Sequence, residues 1–203
     1  MRLIDTHSHL FLEEFSEDFP QVIERARAAG VTHIFMPNID STTIEAMLSA
    51  CSVYKGYCFP MIGLHPTSVN DNYEKELEIV ARELKFSKEY VAIGEIGMDL
   101  YWDKTYLKEQ QIVLDKQVNW ALEYDLPIVI HCRDAFDYIY KVLEPYKKTP
   151  LRGIFHSFTG TAEEATRVLE FSDFFIGING VVTFKKSHLP EILAGIPLEK
   201  IVL

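Results

Sequence analysis

Cysteine is scarce in this chain: Cys51, Cys58 and Cys132 make an odd number, with no CxxC spacing among them. That is not the framework of a disulfide-stapled secreted domain, and it fits a reduced, cytosolic protein whose small thiols fill space. Long apolar runs are missing too. No stretch is long enough to span a bilayer, and the opening MRLIDTHSHL is too polar for a signal peptide. The expectation is a cytoplasmic protein with no membrane partner. Positive charge is in deficit, with 20 Lys and Arg against 30 Asp and Glu and a net charge of −10. A chain this acidic has no global attraction for nucleic acid. If it handles phosphates, bound metal ions and a few local cations must supply the positive field. Linkers and low-complexity tracts are absent as well, and with 48% hydrophobic residues the chain is read as one domain over 1–203.

What is present is a rhythm. Short apolar runs at 3–5, 31–36, 59–64, 91–93, 128–130, 153–155, 174–178 and 201–203 alternate with helical patterns. The runs are β-branched or aromatic with little polar alternation, which predicts parallel strands buried on both faces. Thr42 with Glu45, and Thr161 with Glu164, match the capping box. Ser16 predicts a cap for a helix that Gly30 ends. The stretch 105–124 carries Leu107, Leu114, Val118, Ala121 and Leu122 on one side, as an amphipathic helix does. Seven strand–helix units and one further strand predict an α/β fold, a TIM (β/α)8 barrel with its final helix missing from this chain. An open doubly wound sheet shares the alternation. The barrel is preferred because possible ligands recur at several separate strand ends, which a barrel converges on one mouth. Typical barrels take about 250 residues, so the chain is read as a C-terminally incomplete barrel.

The informative feature is where the histidines fall. Five of seven follow or end a predicted strand: His7, His9, His65, His131 and His156. His33 lies mid-strand and His188 opens a late helix, positions suited to a packed ring and to a surface or cap residue. His7 and His9 form an HxH pair at a strand end, and a period of two puts both imidazoles on one side. Glu95, in VAIGEIGMD, is a carboxylate directly after an apolar run, where burial without a partner is costly. Its two oxygens suit bridging of two cations about 3.5–4 Å apart, or an ion pair with Arg133. His131 in PIVIHCRDA and His156 in GIFHSFTG are each the first polar residue after an apolar strand. Alone, each is more often a satisfied hydrogen-bonded histidine than a ligand. Together, four imidazoles and one carboxylate suit two divalent ions, Zn²⁺ or Mn²⁺, with open positions for water. Arg133, Lys185 and Lys186 are cations expected on the same mouth. Arg133 is the best suited to grip phosphate with two bonds, although an ion pair with Asp134 is its other reading. His65 is expected to bond substrate or a ligand, or to hold its loop. Tyr101 and Trp102, just past Glu95, offer stacking faces or core cover.

The ordered series DTHSHL, GLHP, GEIGMD, IHCRDA, FHSFTG and GVVTFKK resembles the TatD family of metal-dependent deoxyribonucleases, within the larger amidohydrolase-like barrels. The resemblance covers effectively the whole chain. It implies a site of two divalent metals (Zn, Mn or Mg), one held by His7, His9 and Glu95 and the other by Glu95 with His131 and His156. It makes DNA the substrate, cleaved as a phosphodiester by metal-activated water with Glu95 as the catalytic residue, and His65, Arg133 and Lys185, from their places on the mouth, are expected to contact that substrate. Another ester or amide hydrolysed on the same metals is the alternative. The family also places an aspartate after the eighth strand, in an acidic-Thr-Asp motif. The chain stops at Leu203 without one, so low activity, or an inactive metal-binding fragment, is the remaining expectation. A full barrel is expected to be monomeric. One lacking its last helix is expected to be less stable or to dimerise.

Overall fold

The computed structural model describes residues 2–203. The chain alternates strand and helix throughout, as β1 (Leu3–Asp5), α1 (Phe19–Ala28), β2 (Val31–Pro37), α2 (Ile44–Val53), β3 (Cys58–Met61), α3 (Tyr73–Phe86), β4 (Ile93–Asp99), α4 (Leu107–Glu123), β5 (Ile128–Arg133), α5 (Phe136–Leu143), β6 (Gly153–Phe155), α6 (Ala162–Val168), β7 (Phe174–Gly177), α7 (Leu189–Leu193) and β8 (Ile201–Val202). All strand pairs are parallel and follow chain order, in sheets β1-β2-β3 and β4-β5-β6-β7-β8. Isolated hydrogen bonds join the two sheets at both seams. Ile62 bridges Ile93 between β3 and β4, and the Thr6 N–H donates to the Leu203 carbonyl at 2.8 Å between β8 and β1. The order and the seams are those of a (β/α) barrel, not of a doubly wound sheet, which would reverse direction part-way.

Alternation along the strands decides what reaches the centre. Ile128 and Ile130 pack in the main core cluster, whereas Val129 joins a separate small cluster with Met61 and Ala92, flanked by Phe35 and Val91. The strands are therefore buried on both faces, as the unbroken apolar runs predict. His131 has the parity of Val129, and Glu95 has the opposite parity to Ile96 and Met98 of the main core. Burying each such Ile or Met stabilises the fold by about 1.5–3 kcal/mol. The polar residues ride on strands that this packing fixes.

Several local expectations are corrected. β4 begins where the apolar run 91–93 ends and continues to Asp99, every residue of it buried. Glu95 thus lies inside the strand and not after it. Gly97 permits this: it sits at φ +136°, and a Cβ there would meet the His131 carbonyl oxygen at 2.0 Å, so only glycine lets β4 approach β5. β3 ends at Met61, short of the expected 64. Thr42 does not cap α2. Its hydroxyl donates to Asp40, while neighbouring Thr43 occupies the cap position with its own hydroxyl donated to Asn38 Oδ1 at 2.9 Å. Asp18, not Ser16, precedes α1, and its carboxylate pairs with Arg25 at 3.0 Å. The capping box at Thr161 and Glu164 is present in full. His33 stacks on Phe59 as expected of a packed ring, and His188 is exposed just before α7, a surface residue whose side chain makes no capping bond. Among the described residues, no helix is long and apolar enough to cross a membrane.

Candidate metal centre

Glu95 is the hub. Its residue exposure is 2%, and an unpaired carboxylate buried to that degree costs several kcal/mol. Both of its oxygens are met by imidazoles. On one side, Oε2 lies 2.9 Å from His7 Nε2 and 3.3 Å from His9 Nε2. On the other, Oε1 lies 2.9 Å from His131 Nδ1 and 3.5 Å from His65 Nε2. Burial alone would raise the Glu95 pKa. The bonds from His131, His65, His7 and His9 outweigh it and hold the carboxyl well below its ordinary value, so the group is a carboxylate.

The backbone around Glu95 is clamped by a residue the sequence reading overlooked. Asn38, fully buried directly after β2, accepts the Glu95 N–H on its backbone carbonyl at 3.2 Å, and its own N–H is shared between the Met61 carbonyl at 3.1 Å and the Gly94 carbonyl at 3.2 Å. Its side-chain amide donates to the Gly63 carbonyl at 2.8 Å. One asparagine thus ties β2, the segment after β3, and β4 together under the carboxylate. Its signal was faint, being only a polar residue ending an apolar strand.

The ligand-type atoms of His7, His9 and Glu95 lie within 4.8 Å of one another, as do those of His65, Glu95 and His131. The first set fits a divalent cation well. His7 Nε2 and His9 Nε2 are 3.1 Å apart and both face Glu95 Oε2, an arrangement that needs a proton or a cation between the lone pairs. In addition, Nδ1 of both rings is buried with no hydrogen-bond partner. Two imidazole nitrogens and a carboxylate oxygen are donors of the kind Zn²⁺ and Mn²⁺ accept.

The second set is satisfied differently. His131 Nε2 lies 2.9 Å from Asp99 Oδ2, so the ring sits between two carboxylates. Burial would lower its pKa, but Glu95 and then Asp99 outweigh that and raise it, favouring the imidazolium. Asp99 was also missed. It stands four residues after Glu95 in GEIGMD, on the same side of β4, and that spacing was the available signal. His65 accepts the Thr67 N–H on Nδ1 at 3.2 Å, so the neutral ring carries its hydrogen on Nε2 and turns a donor towards the centre. A donor suits a carboxylate or a substrate oxygen, not a metal ion.

His156 comes to the centre from β6 but enters neither set. Its ring stacks on His7, with centroids 3.3 Å apart, and burial together with His7 pushes its pKa down to about 3. It is therefore a neutral imidazole with a lone pair available. A cavity of about 310 Å³ opens beside it, walled by Asp134, Asp137 and Glu164 among others, a charge unsuited to phosphate. Arg133 is not paired with Glu95 or Asp134. Among the described residues no carboxylate lies within 4 Å of it, and its guanidinium lies 3.8 Å from the Tyr101 ring centroid. Lys185 and Lys186 are exposed in the turn after β7.

With this geometry in view, comparison with known proteins decides the family. Residues 4–203 match the family described as TatD related DNase. The chain belongs to the TatD family. Among its TatD-like relatives, it is 36% identical over 202 residues to the uncharacterized metal-dependent hydrolase YabD of Bacillus subtilis, covering 99% of this chain and 78% of that protein. It is 30% identical over 203 residues to the 3'-5' ssDNA/RNA exonuclease TatD of Pantoea ananatis, covering 99% and 77%. The crystal structure of YJJV, a TatD homolog from Escherichia coli, superposes with a TM-score of 0.91 at 30% identity, covering all of this chain and 78% of that one. A TatD family hydrolase from Entamoeba histolytica shares the fold at a TM-score of 0.82 and 23% identity.

Proposed function

We propose that this TatD-family chain is a two-metal phosphodiesterase that removes nucleotides from the ends of DNA. The observation that carries the reading is Glu95: one buried carboxylate with two imidazoles at each oxygen. A relative about 30% identical named as a 3'-5' ssDNA/RNA exonuclease supports the substrate class.

His7, His9 and Glu95 would hold one divalent ion, and Glu95 with His131 and the neutral His156 the other. Bound there, such ions lower the pKa of water from about 15.7 towards about 7 and neutralise charge on phosphate oxygens. The chain's own residues do the rest. Asp99 orients His131 through Nε2, and Asn38 holds the Glu95 backbone, so the carboxylate keeps its position without rearrangement. His65 Nε2–H is aimed at the Glu95 side of the mouth, placed to donate to a phosphate oxygen. Arg133 supplies a planar cation at the rim, and Lys185 a further one on the β7 turn.

The test is a substrate panel in added Mn²⁺ or Mg²⁺: single-stranded DNA, a small aryl phosphodiester, and simple esters and amides. Phosphodiester cleavage with release of nucleotides from strand ends is expected. Turnover of esters or amides with none of phosphodiesters would replace this reading with the other hydrolase class.

A further inference from the structure

We propose that Trp102, backed by Tyr101 and Arg133, is a stacking platform for one unpaired nucleobase, next to the phosphate engaged at the Glu95 centre. The proposal rests on the phosphodiesterase reading and adds what the site recognises beyond phosphate.

β4 is buried along its whole length, yet the chain emerges from it straight into two open aromatic rings, Tyr101 at 51% and Trp102 at 78% exposure. A Trp side chain offers roughly 150–250 Å² for burial, and here most of that surface is left to solvent three residues past the Asp99 that holds His131. The segment is not loosely held. The Leu100 N–H donates to the Arg133 carbonyl at 2.9 Å, and the Tyr101 N–H donates to Asp99 Oδ1 at 3.1 Å. Asp103 ties down the next turn by accepting from the Thr105 N–H at 2.8 Å. Asp99 therefore spans both features, with Oδ2 on His131 and Oδ1 on the aromatic segment, which fixes the rings relative to the ligand set.

The rings divide their roles. Arg133 lies over Tyr101, 3.8 Å from its centroid, so one face of that ring is already covered by a cation. Trp102 stands edge-on to Tyr101, at 89° and 4.6 Å between centroids, with Arg133 at 5.7 Å. Its face is the free one. An open indole face beside a guanidinium matches a nucleotide, whose base stacks on the ring while its phosphate meets the cation. Every base has such a face, so the site is tolerant of sequence. A base inside a duplex already has stacking partners, so the platform selects unpaired ends.

The test compares wild type with Trp102→Ala and Trp102→Phe. Binding of a labelled oligothymidylate, and of the same strand with abasic residues, is read by fluorescence anisotropy without added metal. Trp102→Ala is expected to weaken binding of the natural strand about tenfold and to leave the abasic strand unchanged, with Trp102→Phe restoring most of the loss. With Mn²⁺ present, the KM for the oligonucleotide should rise by a similar factor, while turnover of a small aryl phosphodiester stays at the wild-type value. Equal affinity of wild type and Trp102→Ala for the natural strand would overturn the platform and leave the phosphodiesterase reading standing. A wild type that hydrolyses simple esters yet neither binds nor cleaves any oligonucleotide would overturn both.

Discussion

The two halves of the Glu95 cluster are built alike and finished differently. On the Oε2 side, His7 and His9 converge with both Nδ1 atoms buried and unpartnered. On the Oε1 side, His131 is bonded at both ring nitrogens, and His65 is locked by Thr67 into presenting a donor. The first half is left wanting a cation, and the second is already neutralised by its own protons and carboxylates. An ion entering the first half replaces hydrogen bonds that no second carboxylate supports, whereas one entering the second must displace the proton that Glu95 and Asp99 hold on His131. The halves should therefore differ in affinity, in pH dependence and in sensitivity to neighbouring carboxylates.

The harshest way to break the comparison is to remove the residue both halves share. Glu95→Gln should lower metal-dependent hydrolysis at least about 100-fold, since even losing a supporting partner of a metal ligand typically costs 10–100-fold. Steady-state rates at saturating Mn²⁺ check this. Next comes the backbone that brings the halves together. Gly97→Ala drives a Cβ into the His131 carbonyl at a φ that disfavours it, and should destabilise the fold by about 3 kcal/mol or more. At roughly 2–4 °C per kcal/mol for a chain this size, that is a drop of roughly 6–12 °C in thermal unfolding. Gly180→Ala, where nothing lies within 4 Å, should be close to neutral.

Asp99→Asn sharpens the difference between halves. It keeps an oxygen for the Tyr101 N–H but loses the charge beside His131, and should weaken the second metal about 10–100-fold while leaving the first nearly unchanged. Calorimetric titration with Mn²⁺ resolves the two. Acidity has the mildest effect. The Glu95 pKa is lowered from 4.5, so its contribution to stability is present above that value and lost as pH falls through the depressed one. The His131 pKa is raised from 6.5, so its contribution is full below 6.5 and lost as pH rises through the raised one. Metal-free protein in chelator should therefore melt highest between those limits, and Asp99→Asn should pull in the alkaline limb. With metal, affinity at the second half should fall as pH falls, because His131 takes back its proton.

Much of this was legible from residues alone. Apolar runs that end in His131 or His156 announced buried parallel strands opening on a polar mouth, and Thr161 with Glu164 announced a helix start that formed as expected. Local patterns misled where tertiary contacts competed. Thr42 reads as a cap, but its hydroxyl is taken by Asp40 and the cap position falls to Thr43. GEIGMD lacks an apolar run, so the strand was expected to end at 93, and its continuation to Asp99 depends on Gly97 admitting β5. Asp99 and Asn38 were overlooked because each acts through a partner far along the chain, His131 and Gly63 respectively. The tautomer of His65 depends on a backbone N–H two residues on, which no side-chain pattern reports.

Metal content after dialysis against excess Mn²⁺, counted for wild type beside Glu95→Gln, bears most directly on the shared carboxylate. Two ions per chain in the wild type, and loss from both halves in the variant, are the predicted result. A variant that folds like the wild type and retains its full complement of metal would mean that Glu95 is not what joins the two halves.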